Sequence, residues 1–272
     1  GERLPAQLVV VGVGVRPENK LAVDAGLEVG PRGGIRVNEF LQTSDPDVFA
    51  VGDAIEVQDY VLGEPTQVPL AGPANRQGRI AADNVFGGKS RYRGTQGTAI
   101  VGAFGCTAAM TGASEKTLRR AKRPFRKIYV HPANHAGYYP GAEGMSLKLL
   151  FDPAEGRILG AQGVGGAGVD KRLDVVATLM YFGGTVHQLA ELDLAYAPPF
   201  GSAKDPVHMA AFAAENDLDG LARLLQPDAD LAGYQVVDVR DPQEIAVLQL
   251  PEASDVHFIP LNDLRERIGE LN

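Results

Sequence analysis

Residues 43–54 read T-S-D-P-D-V-F-A-V-G-D-A. Val48, Phe49, Ala50 and Val51 form an unbroken apolar run, the pattern of a short buried strand. Gly52 follows and lets a ligand come close to the backbone, because it has no Cβ. Asp53 then stands at the carboxyl end of the expected strand, where open α/β sheets receive their ligands. A carboxylate there can accept a hydrogen bond from a sugar-alcohol hydroxyl. Ala54 and the amides beyond it can face a phosphate if a helix begins nearby.

The chain has 272 residues, enough for two or three domains. Its 44% hydrophobic and 22% charged residues are those of a globular protein. A net charge of −8 argues against nucleic acid as the main partner. No apolar run reaches the length of a bilayer span. The first residues carry neither the basic start nor the cleavage site of a secretory signal. The single cysteine, Cys106, excludes an internal disulfide framework and suits the reducing cytoplasm.

Around the opening motif the pattern alternates between elements. Residues 8–11 (Leu-Val-Val-Val) read as a strand running into Gly12-Val13-Gly14. No G-x-x-G helix opening follows, so this is no dinucleotide loop by itself. Residues 21–26 form a helical patch, and residues 33–38 a turn into a strand. Residues 69–86 begin with turn chemistry and become an amphipathic helix. After Gly87-Gly88 strands are expected at 98–103, 125–130, 146–151 and 158–162, with a turn at 152–156. A helix spans 167–182, with Leu173, Val176, Ala177 and Met180 on one face. A last helix at 206–216 is followed by a linker. A new strand, 234–240, then leads into a helix opened by Pro242 with acids in its first turn, and another helix is expected from Asn262. Both ends look like cuts through folded units, so the chain reads as a fragment.

The T-S-x-P-x-V-F-A-V-G-D-A pattern resembles the second flavin fingerprint of the two-dinucleotide-fold flavoproteins, the FAD- and NAD(P)H-dependent disulfide reductases and NADH oxidases. The resemblance implies that Asp53, with Gly52 and Ala54, meets the ribityl chain of FAD. It implies that the turn at Leu70, Ala71 and Pro73 faces the isoalloxazine ring. Residues 11–17 resemble the V-G-x-G-x-R-P segment that closes the NAD(P)H domain, which makes Gly12 and Gly14 cofactor-side residues; Glu18 departs from the family pattern. The strand and helix order after residue 90 resembles the dimerisation domain of the same proteins. Residues 234–242, Y-Q-V-V-D-V-R-D-P, with Ile259-Pro260-Leu261, resemble the first half of a rhodanese domain with its D-V-R-x-P-x-E entry.

The resulting fold class is α/β and α+β: part of a two-dinucleotide-binding flavoprotein fold, an antiparallel-sheet dimerisation domain and the start of a rhodanese α/β domain. The expected divisions are 1–17 (end of the NAD(P)H domain), 18–90 (FAD domain), 91–216 (dimerisation), 217–232 (linker) and 233–272 (incomplete rhodanese).

Tyr138-Tyr139-Pro140-Gly141 and Ala195-Tyr196-Ala197-Pro198-Pro199 resemble the tyrosine sites of coenzyme A-disulfide reductases, particularly the rhodanese-fused form, and of the related persulfide or polysulfide reductases. In that family the tyrosines reach the partner subunit's cysteine site, which makes Tyr196, with Tyr138 or Tyr139, the catalytic expectation. A phenol can donate a hydrogen bond to a developing thiolate without ionising. If the pair lay in a strand, only one of Tyr138 and Tyr139 would face the site. The implied cofactors are FAD and NADH or NADPH; the implied partners are a second copy of the chain, as a homodimer, and coenzyme A disulfide or a persulfide. A water-forming NADH oxidase of the same fold and a non-catalytic dimerisation module are the rival readings.

Other features weigh less. Cys106 reads as a small buried apolar residue within a strand. The basic run Lys116, Arg119, Arg120, Lys122, Arg123, Arg126 and Lys127 reads as a solvated face, with coenzyme A phosphates as the alternative. His131 and His135 lack a completing carboxylate or thiolate, so no metal is expected. G-V-G-G-A-G at 163–168 reads as a strand-to-helix turn.

Overall fold

The computed structural model describes residues 3–227, 229–247 and 256–271; Gly1, Glu2 and Asn272, at the edges of the first and last expected divisions, lie outside them. The chain forms two compact units, Gly1–Ala222 and Arg223–Asn272.

The first unit contains two sheets. Helix α1 (Lys20–Asp24) precedes β1 (Ile35–Arg36), β2 (Ile55–Gln58) and β3 (Pro65–Thr66). β1 runs parallel to β2, with Ile35 opposite Ile55, and β3 pairs antiparallel with β2. Ile-Glu-Val-Gln in β2 alternates, so Ile55 and Val57 point into a core with Leu41, Ile35 and Ala81. Ala81 comes from α2 (Ala71–Val85).

The second sheet is wholly antiparallel, in the order β4-β5-β8-β7-β6. Its strands are β4 (Ala99–Ala103), β5 (Cys106–Gly112), β6 (Arg126–Val130), β7 (Met145–Phe151) and β8 (Ile158–Gly165), with α3 (Glu115–Arg120) inserted after β5. Helix α4 (Val169–Tyr181) lies against β5 and β8, and α6 (Pro206–Leu218) against β6 and β7, beside α5 (Val186–Ala190). Leu173, Val176 and Met180 of α4 are buried against Leu147, Leu149, Phe151 and Ile158 of the sheet. The small residues Ala210, Ala211 and Ala214 let α6 approach closely. A Cβ at Gly163 would lie 2.6 Å from Leu173 Cδ2 and 3.0 Å from Leu147 Cδ2, so any larger residue there would make these leucines shift where α4 packs on β8. Gly168 caps α4 in the left-handed region, at φ +85°. Of the glycine run expected as a turn, residues 163–165 end β8 and only 166–168 make the connection to α4.

The second unit holds β9 (Val236–Asp238), α7 (Pro242–Val247), β10 (Val256–Phe258) and α8 (Leu264–Arg267). β9 and β10 pair in parallel, Val236 opposite Val256. Asp238 is buried and takes a two-pronged ion pair from Arg240, Nε to Oδ1 at 2.9 Å and Nη2 to Oδ2 at 2.7 Å. The guanidinium hydrogen bond holds the Asp238 carboxyl below its ordinary range.

Three local expectations are corrected. Residues 8–11 form no strand, and all four side chains are exposed. A run that is apolar on both faces becomes a strand only between neighbours, and none of the described residues pairs with it. Residues 48–51 are not a buried strand either: Phe49 makes a single bridge to Gln42, and Val48 and Val51 are exposed. Asp45-Pro46-Asp47 turns the chain so tightly that Thr43 N bonds Val48 O and Ala50 N bonds Leu41 O. The regular strand is the next segment, β2. Cys106, thirdly, is exposed rather than buried. Phe104 and Gly105 both take positive φ, 53° and 76°, making a tight hairpin turn that puts Cys106 at its edge.

Candidate functional site

The first candidate site is built where residues 51–54 meet the start of α2. Val51 is extended, and Gly52–Ala54 form one 3₁₀ turn. Gly52 sits at φ +81°, a conformation open to glycine and strained for other residues. Its N–H donates to Oε1 of Gln77 at 2.7 Å, and Gln77 is buried. That bond fastens the turn to α2. Asp53 is left exposed, with no hydrogen bond or ion pair to a described residue.

Leu70 occupies the position before α2 in an extended conformation, and no side chain caps the helix. Ala74 N bonds back to Leu70 O at 3.2 Å, whereas the N–H groups of Ala71 and Gly72 point outward and Pro73 has none. Small residues and an uncapped, partly positive helix end leave room for a flat anionic ring. An open cavity of about 610 Å³ adjoins this end, lined by Gly72, Pro73, Arg76, Thr98, Asp174 and Tyr181 among others. Gly12 and Gly14 lie on the exposed stretch before α1, with nothing within 4 Å of where a Cβ would stand.

The second candidate site joins two loops of the antiparallel-sheet domain. Residues 131–144 connect β6 to β7, and residues 191–205 connect α5 to α6. Tyr138 and Tyr139 lie in a turn, not a strand, so the expected strand alternation does not apply. Tyr138 Oη and Tyr196 Oη are 3.4 Å apart, and both rings are exposed. The hydrogen bond with Tyr138 raises the Tyr196 phenol above its ordinary pKa, with burial and the Tyr138 charge acting in the same direction. At this length the bond is weaker than a good O–H···O contact, so both donors can turn to a third acceptor. Tyr139 instead packs edge-on against His135, with ring centroids 5.8 Å apart.

Both loops are tied to α4 by residues not foreseen from the sequence. Arg172 is buried inside the apolar face of α4 and forms an ion pair with Asp205, Nη2 to Oδ2 at 2.8 Å and Nε to Oδ1 at 3.2 Å. Two signals pointed there: a charge within an apolar helical stripe, and Asp before Pro at a helix start.

The basic run is largely occupied internally. Glu115 takes Arg119, Lys127 and Lys148, and Lys148 and Lys127 hold its carboxyl down to about 2. Arg123 pairs with Asp152 and Arg126 with Asp217. His131 bonds Ser146 Oγ, and His135 Nδ1 meets Ala136 O. Among the described residues no three His, Cys, Asp or Glu gather as a metal-binding set, and no helix is long and apolar enough to cross a membrane.

Residues 1–78 match the family model for pyridine nucleotide-disulphide oxidoreductase, and residues 98–207 match that for the pyridine nucleotide-disulphide oxidoreductase dimerisation domain. The coenzyme A disulfide reductase of Staphylococcus haemolyticus is 33% identical over 210 residues, 77% of this chain and 47% of the relative. The structure of reduced Bacillus anthracis CoADR-RHD superposes with a TM-score of 0.90 at 45% identity, over 96% of this chain and 47% of that one. An NAD-dependent persulfide reductase from A. fulgidus superposes with a TM-score of 0.91 at 38% identity, over 98% and 48%. The chain spans about half the length of the curated relatives it matches. The Gly52–Ala54 turn falls in the first matched segment and the paired tyrosines in the second: the chain belongs to the pyridine nucleotide-disulphide oxidoreductase family.

Proposed function

We propose that this chain is part of a flavin-dependent enzyme that takes reducing equivalents from NADH or NADPH and reduces the sulfur–sulfur bond of coenzyme A disulfide or of a persulfide or polysulfide. The observation that carries this reading is the pair of exposed tyrosine hydroxyls, Tyr138 and Tyr196, held 3.4 Å apart by two different loops. The relatives are named for the same chemistry, as a coenzyme A disulfide reductase, a coenzyme A-dependent NAD(P)H sulfur oxidoreductase and a persulfide reductase.

The residues present fit FAD. Asp53 has a free carboxylate, Gly52 keeps the backbone approachable, and the outward amides of Ala71 and Gly72 meet no capping side chain. When bound, FAD supplies the two-electron step between nicotinamide and sulfur. Asp53 accepts a hydrogen bond from a ribityl hydroxyl, with Gly52 and Ala54 shaping the turn. Leu70, Ala71 and Pro73 present the positive end of α2 to the ring, where it favours negative charge. Gly12 and Gly14 end the nicotinamide-binding segment. Tyr196 donates to the sulfur that leaves as a thiolate, and Tyr138 supports it; a phenol stays protonated at neutral pH because its free pKa is about 10. Tyr139, turned onto His135, forms a wall of the loop.

In the same reading residues 1–17 end the NAD(P)H domain, 18–90 belong to the FAD domain, and 91–216 form the dimerisation domain of a homodimer. Residues 217–232 are a linker and 233–272 begin a rhodanese unit, which the parallel β9–β10 pair and the buried Asp238–Arg240 pair support. The single Cys106 favours a cytoplasmic setting.

The test is anaerobic oxidation of NADH and NADPH by the full-length protein, with coenzyme A disulfide and with a coenzyme A persulfide. Turnover on either sulfur substrate supports the reading. NADH consumption that appears only with oxygen, and is indifferent to coenzyme A thiols, would replace it with the water-forming oxidase. A colourless dimer with no turnover on any substrate would leave only the dimerisation module.

A further inference from the structure

Arg172 lies at the first turn of α4 and is 2% exposed, yet its guanidinium reaches three segments. Nε and Nη2 grip the Asp205 carboxylate. Nη2 also donates to Asn134 O at 2.8 Å, and Nη1 donates to Gly168 O at 3.2 Å. Asp205 Oδ1 accepts from Val207 N at 3.1 Å and so caps α6. A Cβ at Gly168 would lie 2.4 Å from Nη1, so glycine there leaves space for the guanidinium.

From this centre the bonds run outward to both tyrosines. Asn134, itself buried, accepts from Glu143 N at 2.9 Å and donates to Ala167 O at 3.3 Å, closing the loop that contains Tyr138. Ala136 N bonds Gly201 O at 2.9 Å, which joins that loop to the next one. Gly201 N and Phe200 N both bond Ala197 O, fixing the turn just after Tyr196.

We propose that the Arg172–Asp205 pair is a positioning device for the two tyrosines: it ties both loops to the start of α4 and thereby holds the Tyr138 and Tyr196 hydroxyls where one substrate sulfur can meet both. The inference rests on the reading of these tyrosines as the sulfur-facing groups. Stability alone is a poor reason for the pair. Removing two charges from water costs about what their attraction returns, and well-packed apolar residues often do as well. What an apolar pair cannot supply is a planar fork that fixes acceptors from three segments at once. Lysine cannot supply it either, because its ammonium is a single compact charge on a flexible stem. Asp205 and Arg172 touch no reacting atom; they act through Tyr138 and Tyr196.

The test uses the full-length protein as wild type, Arg172→Lys, Asp205→Asn, Tyr138→Phe, Tyr196→Phe and the double variant Arg172→Lys/Tyr196→Phe. Asp205→Asn keeps an oxygen to cap α6, so it guards against a simple folding failure of Arg172→Lys. One readout needs no turnover: ultraviolet titration of the phenols, with the Tyr138→Phe and Tyr196→Phe difference spectra assigning the pair. In folded Arg172→Lys and Asp205→Asn the Tyr196 titration moves down, toward the free phenol, as the two hydroxyls part. The second readout is a cycle on kcat with the better sulfur substrate. Misplacement by an ångström costs on the order of 10- to 100-fold, so Arg172→Lys should lose that much in kcat, with KM for the nicotinamide unchanged. The double variant should be no slower than Tyr196→Phe alone. An unmoved Tyr196 titration, or losses that multiply in the double variant, would overturn the proposal. Failure of both conservative variants to fold would overturn it too, by making the pair a brace for the whole domain. If no sulfur substrate turns over in the wild type, the enzymatic reading fails, and the titration still decides whether Arg172 places the tyrosines.

Discussion

Tyr196, the proposed sulfur-facing donor, and Gly52, which sits at φ +81° beside Asp53, each allow a single-residue test. Replacing Tyr196 by Phe keeps the ring and removes the donor. Anaerobic kcat on coenzyme A disulfide or persulfide is expected to fall by roughly 100- to 1,000-fold, the usual worth of one positioned donor to a developing anion. Equal turnover by the two proteins would remove Tyr196 from the reaction. At Gly52 the nearest atom to an added Cβ is Ala74 Cβ, at 3.9 Å, so Gly52→Ala meets no clash. Its effect is backbone strain at φ +81°, about 1–3 kcal/mol. Thermal unfolding should show a lowered midpoint for Gly52→Ala, and an unchanged midpoint would contradict the left-handed conformation. Both were singled out in the sequence, Gly52 by the long motif around Gly52-Asp53 and Tyr196 by its Ala-Tyr-Ala-Pro-Pro context. The pairing of Arg172 with Asp205, and of Gln77 with Gly52, was not. Their roles depend on partners 33 and 25 positions away in the chain, and no local pattern encodes such distances.

At the scale of elements, the period-two and helical patterns recovered the antiparallel strands β6, β7 and β8 and the helices α2, α4 and α6. The misreadings share a physical origin. An apolar run states how many faces are buried, not which strand lies beside it, and residues 8–11 and 48–51 lack the neighbours that would make them strands. The alternation Ile55-Glu56-Val57-Gln58 was the better strand signal in the same region. Helix α3 adds a prediction of its own. Its first residue, Glu115, gathers Arg119, Lys127 and Lys148, and its carboxyl is lowered from 4.5 to about 2. A depressed folded value means that the stabilisation is fully present above the ordinary carboxyl value. It is lost as pH falls from about 4.5 to about 2. Discounted for solvent screening, the contribution is roughly 1–2 kcal/mol. Denaturant unfolding measured across that acid range should fall less steeply in Glu115→Gln than in wild type, and parallel curves would refute the role of the hub.

At the scale of the molecule, the five-stranded sheet domain leaves apolar side chains on its outer strand and hairpin exposed, among them Ile100, Val101 and Phe104. The proposed homodimer predicts that sedimentation of the full-length protein reports a dimer; a monomer at micromolar concentration would contradict it. The proposed role of Asp53 is to supply the sugar-alcohol contact of a flavin. It is tested most directly by the visible absorption of the full-length protein, purified as wild type and as Asp53→Ala. The wild type should emerge yellow, with close to one flavin per chain, and Asp53→Ala should retain much less after gel filtration. A colourless wild type, or full flavin retention by Asp53→Ala, would contradict it.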